Sequence, residues 1–278
     1  MSDHIRSRQS RALAENALVR LVHAYGEIPE FVLLGGLVPD LLCSSAPRSH
    51  VGTTDVDVQV DLEIQSGLGN GQRLERALIE CQFTPDRERI WRWQDESAPH
   101  LVIKVEFFAD LSSVADRATV SFDGCESLGA VNLRGTGFAA CDWSLHALTT
   151  DVEGTSTSVQ IRVATLPAYV LAKVHAAHGR GLQKDWYDLA YVLLHNDAGG
   201  PMSAADLVVQ HFSDSLSGAT ATALHEFNAN FAESSAQGAL AYAGTMVALH
   251  PDLDGEIAAN DAVAAVAAFM KRVGEVLP

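Results

Sequence analysis

The chain has 278 residues with a formal net charge of −16 and about half of its residues apolar, enough for a self-sufficient core of one large or two modest domains. A nucleic-acid-coating protein carries a basic face, so the acidic balance argues against that class while leaving room for a small basic patch. No apolar run reaches the roughly 18 residues of a membrane span, and the polar start Met1–Arg6 is not an apolar signal segment, so a cytoplasmic address is expected. Cys43, Cys81, Cys125 and Cys141 are scattered, with no CxxC pair, and are expected as reduced, mostly buried small hydrophobes.

In chain order, Leu13, Ala17, Leu18, Leu21 and Val22 recur at helical spacing within residues 7–25. Phe31–Leu34 reads as a short buried strand closed by Gly35-Gly36, and a short helix over Leu37–Cys43 is expected directly after it. After a polar loop, Asp55-Val56-Asp57-Val58-Gln59-Val60 has the period-2 alternation of a strand. The glycine-rich stretch Gly67–Gly71 reads as a flexible connection, with Asn70 capping a helix over Gln72–Cys81. Strands are then expected over Ile90–Trp93, Leu101–Phe108, Ala130–Leu133 and Val159–Val163. From Leu166 the alanine-rich pattern predicts helices over 166–177, 184–195, 204–212, 221–231, 238–249 and 256–273. The chain thereby divides into an α/β part, residues 1–165, and a helical part, residues 166–278.

Alternation puts Asp55 and Asp57 on one face of their strand and Val56 and Val58 on the other. Two neighbouring carboxylates repel unless a cation lies between them, and magnesium prefers such oxygen ligands, with phosphate completing its shell. In Leu101–Phe108, Lys104 and Glu106 share one face of an otherwise apolar strand. If that strand lies beside the first, Glu106 becomes a third carboxylate and two metal ions become possible; Asp61 and Asp110 compete for this position. The Gly35-Gly36 turn, with 18 residues between it and Asp55, lets backbone N–H groups approach phosphate oxygens, with a helix N-terminus favouring the negative charge. Trp91 and Trp93 are read as a core edge, and His175 and His178 as ordinary, partly buried histidines.

These residues resemble the nucleotidyltransferase superfamily signature: a hydrophobic strand, Gly-Gly or Gly-Ser, a spacer, then two aspartates one residue apart on a strand. Leu171–Arg180 followed by Lys184-Asp185-Trp186-Tyr187-Asp188-Leu189 looks like the corresponding stretch of AbiEii-like proteins, toxins of abortive-infection and type IV toxin–antitoxin systems. The resemblance implies an α+β fold: a small mixed sheet with flanking helices, followed by a helical bundle closing over the nucleotide. It implies Asp55 and Asp57 as catalytic metal ligands with Glu106 as the third, Mg2+ as the metal, and an NTP as donor. Gly35 and Gly36 would hold the triphosphate and Lys173 would reach its charged oxygens. Lys184, Asp185 and Asp188 would line the cleft, against the plainer reading of Lys184 and Asp188 as a surface pair four residues apart on a helix. The acceptor would be a hydroxyl on tRNA, protein or a small molecule, with a cognate antitoxin as a further partner; a non-catalytic nucleotide- or partner-binding protein is the alternative. Two departures stand out: glycine rather than serine at position 36, and an acidic charge that sits awkwardly with a tRNA acceptor.

Overall fold

A computed structural model describes residues 7–96, 101–152 and 154–277; the Met1–Arg6 start read above lies outside them. Internal contacts divide the chain into a sheet unit, residues 1–38 and 52–164, and a helical unit, residues 39–51 and 165–278. The architecture is α+β: one mixed sheet with flanking helices, then a helical bundle. Among the described residues no helix is long and apolar enough to cross a membrane.

The sheet unit begins with helix α1 (Arg8–Tyr25), opened by a capping box in which Ser7 and Ser10 each satisfy the other's backbone. Of the residues picked out by spacing, Ala17, Leu18, Leu21 and Val22 are buried, whereas Leu13 is only half-buried and its neighbour Ala14 is the one enclosed. Strand β1 (Val32–Leu34) is followed by a single 3-10 turn, Gly35–Leu37, and a helix, α2 (Val38–Leu42), of only five residues, which from Pro39 onward belongs to the helical unit. The expected continuous helix over Leu37–Cys43 is thus shorter and enters through a tighter turn. Then come β2 (Asp55–Gln59), α3 (Asp61–Gln65), α4 (Leu68–Glu80), β3 (Thr84–Pro85), β4 (Arg92–Asp95) and β5 (Ile103–Ala109). They are followed by β6 (Thr119–Ser121), β7 (Gly129–Asn132), α5 (Gly137–Cys141) and the hairpin of β8 (Trp143–Val152) and β9 (Thr155–Ala164).

Strand order is β3-β4-β5-β2-β1-β9-β8, with β7 joining β5 and β6 pairing β7. β2 runs parallel to β5 and antiparallel to β1, and β1 runs parallel to β9. Two details differ from expectation. The glycine-rich stretch is no loose connection: α4 starts at Leu68 behind Gly67, Asn70 lies inside it, and no side chain caps it. β8 is mostly solvated, with Leu148 its one buried residue, and its alternation breaks at Ala147-Leu148, so it was not read as a strand.

The helical unit comprises α6 (Leu166–Arg180), α7 (Gln183–His195), α8 (Pro201–Phe212), α9 (Ala219–Ala229), α10 (Gln237–Leu249) and α11 (Gly255–Val273). Its core is aromatic: Trp186 stacks on Phe227 at 6.4 Å between ring centroids, and Phe231 and Phe269 meet Phe227 edge-on. The four cysteines are free; Cys43 alone is buried, whereas Cys141 is exposed. His175 meets the Thr220 hydroxyl at 3.1 Å, and His178, exposed rather than partly buried, pairs with Glu226.

Candidate active site

The pleat of β2 buries Val56 and Val58 completely and leaves Asp55 and Asp57 half-buried on the opposite face. β5 repeats the pattern, with Val105 and Phe107 inside and Lys104 and Glu106 opposite; β4 repeats it with Trp93 inside and Arg92 and Gln94 opposite. Register then sets these side chains in two rows. One row runs Asp57, Glu106, Arg92 and the other Asp55, Lys104, Gln94. The condition set by the sequence is met: β5 lies beside β2, and Glu106 is the direct cross-strand neighbour of Asp57.

The glycine turn borders the same place. Gly35 has a left-handed φ of +71°, and a Cβ built on it would lie 2.6 Å from the Asp57 carboxyl carbon and 2.7 Å from the Asp57 Cβ. Only a residue without a side chain lets Asp57 lie against the backbone there. A Cβ on Gly36 would stand 2.7 Å from the Cβ of Thr53, so the space a serine side chain would need is taken by threonine.

Each acid is held. Asp55 receives the Thr54 hydroxyl at 3.3 Å on Oδ1, with Lys104 Nζ 3.7 Å from the same oxygen; its backbone N–H donates to Thr53 Oγ1 at 3.0 Å. Glu106 Oε1 accepts from Arg92 Nε at 2.7 Å and pairs with Arg92 Nη2 at 2.5 Å. The competitors have other employment. Asp110 accepts from the backbone of Gly135 and Gly137 and from Arg134, while Asp61 accepts from the backbone of Asp110, with burial pushing its pKa up. Arg92 escaped the sequence reading because its pairing with Glu106 depends on the register of β4 with β5. The matching alternation of Arg92 and Gln94 with Lys104 and Glu106 was the available signal.

The donor set of Asp55 and Asp57 suits a hard divalent cation, and the Gly35 cradle that a Cβ would fill leaves Asp57 room against the turn. Among the described residues, no three of His, Cys, Asp and Glu are grouped so as to hold a metal ion. Glu106, tied to Arg92, could share a cation with Asp55 and Asp57 only by loosening that pair.

The remaining expected site residues lie in the helical unit. Lys173 is buried, its Nζ 2.6 Å from Asp188 Oδ2 and 3.3 Å from Asp185 Oδ1. Arg180 forks onto Asp185 at 2.7 and 2.8 Å, and His50 Nε2 meets Asp188 Oδ1 at 2.9 Å. Burial alone would depress the Lys173 pKa, but the two aspartates override it and the net shift is upward. Burial would raise Asp185, but Lys173 and Arg180 override it and the net shift is downward. Asp188 is wholly buried and so is no partner in a surface pair; Lys184 on the same helix is half-buried. His50, with its ring 5.0 Å from those of Tyr187 and Tyr191, was absent from the sequence reading, because nothing local links position 50 to α7.

A family model described as nucleotidyl transferase AbiEii toxin, type IV TA system, matches residues 141–269. Across those residues the chain is AbiEii-like. The AbiEii-like stretch runs from the β8–β9 hairpin into α11 and holds Lys173, Lys184, Asp185 and Asp188, whereas Gly35, Gly36, Asp55, Asp57 and Glu106 precede it. None of the curated proteins matches. A crystal structure from H. pylori, provisionally named a nucleotidyltransferase, matches with 15% identity and a TM-score of 0.45 over 98% of this chain and 99% of that one.

Proposed function

We propose that this AbiEii-like chain is a magnesium-dependent nucleotidyltransferase that moves a nucleoside monophosphate from an NTP to a hydroxyl acceptor. The observation that carries the reading is the juxtaposition of Asp57 with both Gly35 and Glu106, which sets carboxylates and glycine turn around one place on the sheet. In the reaction the acceptor oxygen bonds to the α-phosphorus as the bond to pyrophosphate breaks. Asp55 and Asp57 would hold the metal, and Glu106 would be the third ligand. Magnesium so held supplies positive charge to the triphosphate oxygens as negative charge builds on the leaving group. Thr54 and Lys104 fix the direction of the Asp55 carboxylate, and Arg92 fixes that of Glu106. The Gly35-Gly36 turn, which takes Asp57 and Thr53 where its own side chains would stand, would offer backbone N–H groups to the phosphates.

The family description supports a toxin whose cognate antitoxin is a partner. The acceptor is a hydroxyl on tRNA, protein or a small molecule. The test is magnesium-dependent pyrophosphate release, with transfer of label from each NTP to bulk tRNA, to protein and to small hydroxyl compounds. Equal background signals from wild type and Asp57→Ala across all acceptors would defeat the proposal.

One observation favours a second reading, a nucleotide- or partner-binding protein without turnover: Glu106 is already neutralised by Arg92. Saturable NTP binding with no product would support it, and turnover abolished by Asp55→Asn would reject it.

A further inference from the structure

The two rows across β2, β5 and β4 contain three carboxylates and two cations, and the cations are not scattered among them. Lys104 stands beside Asp55 and Arg92 grips Glu106, each directly across a strand pair from its partner. Side chains of all four are 15–25% exposed, shielded enough for their charges to count and open enough to exchange partners with solvent-borne ions. Before any metal arrives, then, Asp55 and Glu106 are both compensated from within the protein.

Compensation of this kind has two consequences of opposite sign. A divalent cation approaching Asp55 and Glu106 must compete with an ammonium and a guanidinium already there, so the resident cations weaken its binding. Once the metal has taken those carboxylates, the displaced cations require other anions. The phosphate oxygens of an arriving NTP are anions of the right chemistry, and guanidinium in particular matches phosphate with two parallel donors.

We infer that Lys104 and Arg92 are exchangeable counter-charges, holding Asp55 and Glu106 before the metal binds and passing to the NTP phosphates afterwards. The site therefore favours the metal–nucleotide complex over the bare cation. This inference rests on the metal-site reading of the previous subsection.

The test uses the full chain and two separate binding measurements, neither of them turnover. Mn2+ binding alone is followed by electron paramagnetic resonance titration, and binding of a non-hydrolysable NTP analogue in saturating Mg2+ is followed by calorimetry. Arg92→Gln and Lys104→Met each remove one positive charge; Arg92→Lys keeps it. Each neutral variant is expected to bind Mn2+ roughly tenfold more tightly, since one unit of opposing charge within a few ångströms of a divalent ion is gone. The same variants are expected to bind the nucleotide analogue about tenfold more weakly, while Arg92→Lys stays within about threefold on both measures. A variant that had merely lost structure would weaken both. If Mn2+ binding is unchanged or weaker in both neutral variants while Asp57→Asn still abolishes it, the exchange is refuted and the metal site stands. If Asp57→Asn leaves Mn2+ binding intact, the metal site itself is wrong and the exchange falls with it.

Discussion

Replacing Gly35 by alanine probes the contact on which the site is built. Two costs follow from the geometry. An L-residue at φ +71° sits in the left-handed region, costing about 1–2 kcal/mol. The new Cβ would also lie 2.6 Å from the Asp57 carboxyl carbon and 2.7 Å from its Cβ, which no rotamer change moves, so the backbone must shift as well, for about another 1–3 kcal/mol. Urea denaturation should therefore show a loss of about 2–5 kcal/mol. Magnesium-dependent pyrophosphate release should fall about a hundredfold or more, because a carboxylate displaced from its ligand position forfeits at least ~2.7 kcal/mol of transition-state stabilisation. Gly26 provides the control. It ends α1 at φ +86°, and a Cβ there would meet nothing within 4 Å. Gly26→Ala should show the conformational cost alone, with activity retained. If Gly35→Ala behaves like Gly26→Ala in both assays, the packing of Asp57 on the glycine turn has no functional weight.

Three further outcomes are expected. Lys173→Met strips the shared cation from two wholly buried aspartates and should cost roughly 3–5 kcal/mol in chemical denaturation, partly recovered by adding Asp188→Asn; a loss under about 1 kcal/mol contradicts the buried-pair account. Gly36→Ser should destabilise because its Cβ meets Thr53, and Thr53→Gly in the same chain should relieve it; equal stability of the single and double variants by thermal melting refutes the steric explanation. Asp197 accepts from the Ser44 and Ser45 backbone and the Ser44 hydroxyl, and these bonds outweigh its desolvation to hold its pKa down at about 2. Because the folded value lies below the unfolded one, the tether is in place above about pH 4 and is lost as pH falls through about 2. A carboxyl NMR titration with its midpoint near 4 contradicts this.

Much of the sheet was legible because side-chain direction in a strand is a local property. The alternation in Asp55–Gln59 and Ile103–Ala109 was enough to say that the two aspartates share a face, as do Lys104 and Glu106. Helices α6 to α11 were legible for the corresponding reason, since their periodicity and alanine content are read within a few turns. β8 was not, because its outward face is solvated and its identity as a strand comes from pairing with β9 over ten residue pairs. α4 begins earlier than its glycines suggested, since tertiary packing overrides weak helix propensity.

By itself, then, the sequence determined which side chains share a face and which segments are helical, because backbone geometry carries that information from one residue to the next. Only the tertiary structure decided that Glu106 stands opposite Asp57, that Arg92 reaches Glu106, and that Lys173 is enclosed by Asp185 and Asp188 with His50 alongside. Those partnerships join residues from 12 to 138 apart in the chain. Strand register and burial fix them, and neither is written in any local pattern.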